Sequence, residues 1–301
     1  MPKRRTLAAI VVVLAIAAFA FFWVTRPDPL PASAIPAHQT DLRNGETLYR
    51  AGSCLACHRP PDEAAGVDRG LPSGRRPFKT PIGVFYPQNI TPDPETGIGK
   101  WSAIDFVNAM ARGLAPDGRH YFPAFPYMAY RAMRLSDLLD LRAYLMSLPA
   151  VSAPRREADV PLVPLARRGV GLWQRLAFRQ RPHSPDPSRS ATWERGAYLV
   201  NAPGHCGECH TPKSWLMIED LRRHLAGGPH PAGDGKVPGL HGLLARKRYK
   251  GVDDLVLALQ NGETLGYEHL SSGGMAQVQE SLSQLPEADL RAISGYLLSL
   301  E

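Results

Sequence analysis

The stretch Cys54-Leu55-Ala56-Cys57-His58 decides how this 301-residue chain is interpreted, and its pattern returns as Cys206-Gly207-Glu208-Cys209-His210. Two cysteines three positions apart share one face of a helical turn, so their thiols can reach the same partner. The chain has four cysteines, and the two stretches use all of them. The repeated Cys-x-x-Cys-His pattern is typical of segments to which haem c is covalently attached.

In such a segment both thiols bond to one porphyrin, and the histidine that follows ligates the iron. The sequence therefore predicts two covalently bound haem c groups. The predicted attachment residues are Cys54, Cys57, Cys206 and Cys209, and the predicted proximal ligands are His58 and His210. A thioredoxin-like redox pair and a four-cysteine zinc site are the alternatives, and both leave the histidine after each pair without a role.

The N-terminal segment 1–25 combines a cationic start with an apolar run. Lys3, Arg4 and Arg5 precede eighteen uncharged residues from Leu7 to Val24, which meets the lower length limit for a membrane span. The positive charges favour a cytoplasmic start, which places the rest on the periplasmic side of a bacterial inner membrane. The triplet Ala18-Phe19-Ala20 also fits a cleaved signal peptide, but the apolar run continues beyond it, which favours an uncleaved anchor.

The remaining chain divides by composition. Residues 26–40 contain four prolines and are predicted to form an extended tether that holds the next domain off the membrane. Residues 41–153 and 191–301 each carry one haem motif, and a basic linker, 154–190, separates them. Within this linker, residues 162–178 keep apolar side chains, which leaves open whether that part packs on a domain or is solvated.

The two haem segments have the same order and spacing of motif and helices. This repeat predicts a mainly α chain with two tandem domains after the N-terminal helix. His58 lies as far from Tyr144 as His210 lies from Tyr296, 86 positions in each case. A glycine in each first helix, Gly45 or Gly196, predicts that the last helix of the same domain approaches it closely.

Local signals place several helices of the first domain. Helical character is expected over Leu42 to Ala51, and Ser102 is predicted to cap a helix that Gly113 ends. Ser136 is predicted to cap the closing helix. Residues 75–100 are rich in Pro, Gly, Thr and Asp and predict a structured loop.

A haem iron that only carries electrons needs a second axial ligand, and a methionine in that position raises the potential. In the second domain the glycine-rich stretch Ser272-Gly273-Gly274-Met275 predicts Met275 as this ligand. In the first domain Met128 and Met133 both precede the closing helix, and the residues alone do not separate them. His120 is a further candidate, with a structural role as its alternative.

The chain resembles the membrane-anchored cytochrome c subunits that accompany bacterial alcohol, gluconate and aldehyde dehydrogenases. The resemblance covers nearly everything after the apolar segment. The motifs that carry it are Asn89-Ile90-Thr91-Pro92-Asp93, Thr96-Gly97-Ile98-Gly99, Trp101-Ser102, Pro123-Ala124-Phe125-Pro126-Tyr127, Gly273-Gly274-Met275 and Leu285-Pro286.

This resemblance implies a cytochrome c-type fold in each domain, His/Met iron, and electron transfer to quinone or to another cytochrome. Two departures are informative. The alcohol dehydrogenase subunits carry three haems, whereas this chain has two motifs, and their axial methionine is replaced here by Phe125. A related two-haem group has a methionine at the position matching Met133, which implies Met133 as the ligand and Met128 as the second choice.

The function expected from these features is electron transfer without catalysis. Partners would be a dehydrogenase subunit, another cytochrome or an oxidase, together with the membrane. The net charge of +7 favours acidic redox partners, and no nucleic-acid-binding module is recognisable. The alternative is a di-haem redox enzyme, peroxidase-like or thiosulfate-oxidising, with one open or displaceable axial site.

Overall fold

A computed structural model of the chain describes residues 2–62, 66, 68–80, 82–178, 184–231, 235–263 and 274–301. These residues are mainly helical. The helices are α1 (Pro2–Val24), α2 (Leu42–Ala51), α3 (Cys54–His58), α4 (Ala103–Arg112), α5 (Tyr127–Tyr130), α6 (Leu135–Ser147), α7 (Val163–Ala177), α8 (Ala191–Asn201), α9 (Gly207–His210), α10 (Val252–Asn261), α11 (Gly274–Leu282) and α12 (Glu287–Leu298). Two antiparallel pairs of short strands complete them: β1 (Phe78–Thr80) with β2 (Gly83–Phe85), and β3 (Gly228–Pro229) with β4 (Lys236–Val237).

The N-terminal helix α1 is apolar on all sides. Its stretch Arg4–Val24 is long and apolar enough to cross a membrane. None of the most apolar part of this stretch is buried against the rest of the protein. A signal sequence near the N-terminus meets the same criteria of length and composition. It is the one such helix among the described residues.

Residues 26–40 largely lack regular structure, as expected of a proline-rich segment, but they are not detached. The amide of Leu30 donates to the side chain of Asn108 at 2.7 Å, and the same side chain donates back to the Leu30 carbonyl at 3.2 Å. Arg112 also pairs with Asp28 at 3.5 Å. The segment therefore lies along α4 instead of spacing the first half away from α1.

The predicted glycine contacts are confirmed in both halves. A Cβ atom built on Gly45 would lie 2.2 Å from the carbonyl oxygen of Asp140, and one on Gly196 would lie 1.9 Å from that of Ala292. Both distances are far inside van der Waals contact, so only glycine allows α2 to meet α6 and α8 to meet α12 at this separation.

The boundaries of α4 follow from local chemistry. Ser102 and Asp105 form a reciprocal capping box at its start, and Gly113 ends it in the left-handed region at φ 61°. Helix α10, the counterpart of α4, also ends on a left-handed glycine, Gly262 at φ 78°. The expectation that Ser102 begins this helix and Gly113 ends it is confirmed.

The start of α6 differs from the prediction. Arg134, not Ser136, occupies the N-cap position, and no side chain caps the helix. The amide of Arg134 instead donates to the hydroxyl of Tyr198, which itself donates to the buried carboxylate of Asp137. A residue of the second half therefore fixes this boundary, and no local signal encodes it.

Two further findings concern the loops. The 75–100 segment is mostly irregular, as predicted, but contains the β1–β2 pair. Within the basic linker, α7 packs on the first half, because Val170 joins Phe85 and Phe122 in a small apolar cluster. The packed alternative for residues 162–178 is the one that the structure shows.

Candidate haem sites

The two Cys-x-x-Cys-His motifs form short helices, α3 and α9. In each, the first cysteine is partly buried and the second is exposed, and all four thiols are free of disulfides. Ser53, just before α3, and His205, just before the α9 motif, both adopt left-handed backbone angles, φ 46° and 40°. Since non-glycine residues seldom occupy this region, the shared turn indicates that the two motifs are presented in the same way.

The two predicted proximal histidines have matching hydrogen bonds. Nδ1 of His58 donates to the carbonyl oxygen of Gln88 at 2.6 Å, and Nδ1 of His210 donates to that of Pro238 at 2.8 Å. A carbonyl oxygen can only accept, so the proton sits on Nδ1 and Nε2 keeps its lone pair. Such a bond orients an imidazole that ligates a metal through its other nitrogen.

A second matched bond holds each histidine's backbone. The amide of Gly74 donates to the His58 carbonyl at 2.6 Å, and the amide of Gly227 donates to the His210 carbonyl at the same distance. Each motif is thus closed by a loop that returns a glycine amide to the histidine. Burial lowers the pKa of both imidazoles, which favours the neutral form that binds a metal.

The two motifs are direct neighbours. Nε2 of His205 lies 3.2 Å from the carbonyl oxygen of Gly52, so the residues that precede the motifs are joined by a hydrogen bond. The His205 ring also packs edge-on against Tyr130, with 5.6 Å between centroids. The segments that precede the two motifs therefore lie in direct contact.

Several known proteins are similar to this chain in sequence. Residues 42–149 match the family model described as "Cytochrome c". Over 304 aligned residues the chain is 38% identical to a protein of Cereibacter sphaeroides described as "Diheme cytochrome c-type", which covers 98% of this chain and 97% of that protein.

This chain belongs to the cytochrome c family.

Other relatives are subunits of dehydrogenases. The fructose dehydrogenase cytochrome subunit of Gluconobacter japonicus is 33% identical over 277 residues, which covers 91% of this chain and 54% of that subunit. The gluconate 2-dehydrogenase cytochrome c subunit of Pantoea cypripedii is 35% identical over 279 residues, which covers 88% and 60%. This cytochrome c therefore spans little more than half the length of these two relatives.

The residues present fit a covalently bound haem c. Burial raises the pKa of Cys54 and of Cys206 to about 12, so both are neutral thiols and not the low-pKa thiolates of a redox-active pair. Among the described residues, no three histidine, cysteine or acidic side chains come together as a metal site, which disfavours the zinc alternative. Two free thiols beside an oriented imidazole are the donor set that haem c attachment requires.

The first-half axial candidates are placed differently by the structure. Met133 is 3% exposed and belongs to an apolar cluster that Cys54 and Phe125 border. Met128 lies on α5, is partly buried and is not a member of that cluster. Met133 is therefore the more buried of the two and the one that packs near Cys54, and its role as a ligand stays a prediction.

His120 is accounted for by other bonds. Its ring is buried, with Nδ1 2.8 Å from the side-chain oxygen of Gln174 and Nε2 3.0 Å from the carbonyl oxygen of Thr25. Both ring nitrogens are therefore engaged in joining α7 to the end of α1. The structural alternative for this residue is the one the geometry supports.

Met275 lies in the first turn of α11 with 40% of its side chain exposed. Ser272 and Gly273, which precede it in the predicted loop, lie outside the described residues. Helix α11 itself is fixed, because the buried Gln279 donates to the carbonyl oxygen of Ala258 in α10 at 2.6 Å.

Sequence reasoning missed that α11 also joins the two halves. Arg59, directly after the first motif, pairs with Glu280 at 3.0 Å, and the hydroxyl of Ser53 is 3.5 Å from the carbonyl oxygen of Val278. No periodic pattern in the sequence predicts contacts of this kind, because they depend on how the two halves dock. The cationic residue that follows His58 is the one local hint.

Proposed function

We propose that this cytochrome c is a membrane-anchored di-haem electron carrier, with residues 41–153 and 191–301 as tandem cytochrome c-type domains. The observation that carries the proposal is the matched pair of sites. Each motif histidine is oriented by a backbone carbonyl through Nδ1. The two motifs are joined through His205 and Gly52. Side-by-side centres suit electron transfer within the chain.

Each haem c, when bound, supplies one iron that cycles between two oxidation states. Cys54 and Cys57 would hold the first group, and Cys206 and Cys209 the second. Burial lowers the pKa of His58 and of His210, and both imidazoles would bind the irons through Nε2. Met133 and Met275 would provide the sixth ligands, which keep potentials high and exclude substrates.

The protein's own residues give each site its electronic environment. A carbonyl oxygen at 2.6 Å from Nδ1 of His58 strengthens that imidazole as a donor, and the 2.8 Å bond of His210 does the same. The apolar cluster around Met133, which Cys54 borders, would keep water from one side of the first site. Ligand orientation and water exclusion both favour fast electron transfer because little has to rearrange.

The proposed location is the bacterial inner membrane, with the haem domains on the periplasmic side. Helix α1 is of spanning length, and the cationic residues at its start favour a cytoplasmic N-terminus. Electrons would come from a dehydrogenase or from quinol and leave to another cytochrome or an oxidase. The cytochrome subunits among the relatives support a dehydrogenase partner.

The experiment is expression of the full chain in a host that matures c-type cytochromes. Mass spectrometry should show two added haems, and Cys57→Ala and Cys209→Ala should each lose one. A colourless protein would contradict the proposal as a whole. A single added haem would contradict the proposal that the chain binds two haems.

The same preparation distinguishes a carrier from the alternative di-haem enzyme. A carrier with both irons closed by methionine should bind carbon monoxide slowly in the reduced state and accept electrons reversibly in a redox titration. Rapid carbon monoxide binding to one haem, with turnover of peroxide or thiosulfate, would favour the enzyme.

A further inference from the structure

Helix α7 has an exposed leucine face that the electron-transfer function does not use. Leu165, Leu172 and Leu176 lie along one side of the helix and are 58%, 44% and 51% exposed, and Leu162, just before it, is 75% exposed. Positions 165, 172 and 176 are separated by seven and four residues, so they form one stripe. The opposite side, with Val170 and Gln174, is buried against the first half.

A second apolar element lies beside this stripe. The turn around Trp215 projects from the second half, with Trp215 89% exposed and Met217 44% exposed. It is held to α7, because the indole nitrogen of Trp173 donates to the carbonyl oxygen of Leu216 at 2.7 Å. The leucine face and the Trp215 turn therefore belong to one surface to which both halves contribute.

This surface is continuous with the end of α1. Arg168 donates to the carbonyl oxygen of Phe22 at 2.6 Å, and Arg175 donates to that of Val24 at 3.1 Å. Both arginines lie one turn from Leu172 on α7, so the last turn of α1 docks next to the leucine face. The following Thr25 is fully buried and Gly171 packs directly against its backbone, so the junction is firm.

The charges at this junction are positive. Besides Arg168 and Arg175, Arg26 stacks on Trp23 at 4.0 Å from the ring centroid. A helix with leucines on one side, arginines beside them and a projecting tryptophan has the composition of elements that lie in the bilayer interface. Cations at that level attract anionic phospholipid headgroups.

We propose that α7 and the Trp215 turn form a membrane-seating surface that rests in the headgroup layer of a bilayer containing anionic phospholipid. The inference rests on the proposed anchor, since the last turn of α1 sets the depth at which α7 lies. It adds that the haem domains do not swing on a tether. They are held in one orientation on the membrane. One face of the haem domains is then accessible to a partner in the membrane, and another face is accessible to a partner in the periplasm.

The test uses the full holoprotein in nanodiscs of phosphatidylcholine and phosphatidylglycerol that carry a photoactivatable phospholipid, with cross-links mapped by mass spectrometry. The expected labelling covers residues 4–24, 162–176 and 215–217. Labelling confined to 4–24 would overturn the seating surface and leave the anchor intact, whereas no labelling at all would also remove the anchor. Equal labelling in pure phosphatidylcholine would overturn the role given to anionic headgroups.

A charged variant provides a second readout. Leu172→Glu combined with Leu176→Glu should abolish labelling of α7 and of the Trp215 turn, with labelling of 4–24 and haem content unchanged. The matched control is Leu257→Glu, because Leu257 is 55% exposed on α10 and lies outside this surface. If α7 takes no lipid label but becomes protected from hydrogen exchange when a dehydrogenase is added, the surface is a protein interface and the inference is wrong.

Discussion

Nε2 of His205 in the second half lies 3.2 Å from the carbonyl oxygen of Gly52 in the first, and both residues precede a haem motif, His205 by one position and Gly52 by two. The contact links the segments that carry the motifs without involving any attachment residue. Together with the Arg59–Glu280 pair, it joins the two halves close to the motifs.

The first prediction concerns this contact. His205→Ala removes the bond to Gly52 and the ring contact with Tyr130, and leaves a buried carbonyl unsatisfied, which costs about 1–3 kcal/mol. We expect both haems to be retained, hydrogen exchange around residues 50–56 to accelerate, and electron exchange between the haems to slow. Pulse radiolysis and mass-resolved exchange measure these effects. The control, Leu257→Ala at an exposed site, should change neither; unchanged exchange in His205→Ala would contradict the role.

The second prediction concerns the hydroxyl of Tyr198, which donates to Asp137 and accepts from the amide of Arg134. Tyr198→Phe leaves both groups without this partner, so the free energy of unfolding should fall by about 1–3 kcal/mol. The start of α6 should also fray, which hydrogen exchange detects. Tyr86→Phe is the control, because Tyr86 bonds Asp159 at an exposed site and should cost no more than about 0.5 kcal/mol.

These contacts mark where prediction from sequence ends. The spans of α2 and α4 were predictable, α4 from Ser102, Gly113 and the helical spacing between them, because the determining residues are neighbours in the chain. The attachment motifs are equally local. The start of α6 is not, because Tyr198 sets it across 61 positions.

The way in which the two halves dock could not be predicted from the sequence either, because the contacting residues are far apart in the chain. His205 carries no pattern that distinguishes it from any other histidine near a cysteine pair. Helix α11 reaches the first motif through Glu280 and Val278, and neither residue type nor spacing predicts that. By contrast, Gly45 and Gly196 were predictable as close-contact sites, because two repeats showed the same small residue at the same place.

The third prediction concerns those glycines. Gly45→Ala and Gly196→Ala each force a methyl group onto a helix backbone at about 2 Å, so each should destabilise by at least about 1–3 kcal/mol. Gly295→Ala is the matched control, since this glycine lies in α12 with open space around it. Alanine there should be neutral or stabilising by up to about 1 kcal/mol. Thermal unfolding of the holoprotein measures all three, and equal effects would contradict the close approach.

The fourth prediction is a pH dependence that arises from Asp140. Burial by itself would raise the pKa of this carboxyl group, but hydrogen bonds from Asn44, the Asp41 amide and His38 outweigh it and hold the pKa below its ordinary value. A carboxylate whose pKa is depressed by folding stabilises the fold above the unfolded pKa, roughly 3.9. That stabilisation is lost as the pH falls through the folded value.

Asp140→Asn tests this dependence. The variant should be less stable than the parent at pH 7, and the difference should shrink as the pH falls below about 4. Unfolding by denaturant at a series of pH values measures it. A difference that stays constant across this range would show that Asp140 acts through packing and not through its charge.

The last prediction separates the axial methionines. Met133→Leu should remove the methionine-to-iron charge-transfer band of the oxidised first haem and lower its potential, because the sulfur ligand is lost while the side-chain volume is nearly kept. Met128→Leu is the matched control, since Met128 lies outside the apolar cluster that Cys54 borders. In the second half, Met275→Leu should act on the other haem alone, with Met217→Leu as its control at another exposed methionine. If Met128→Leu removes the band and Met133→Leu does not, the ligand assignment is reversed; if neither does, the first iron uses a different sixth group.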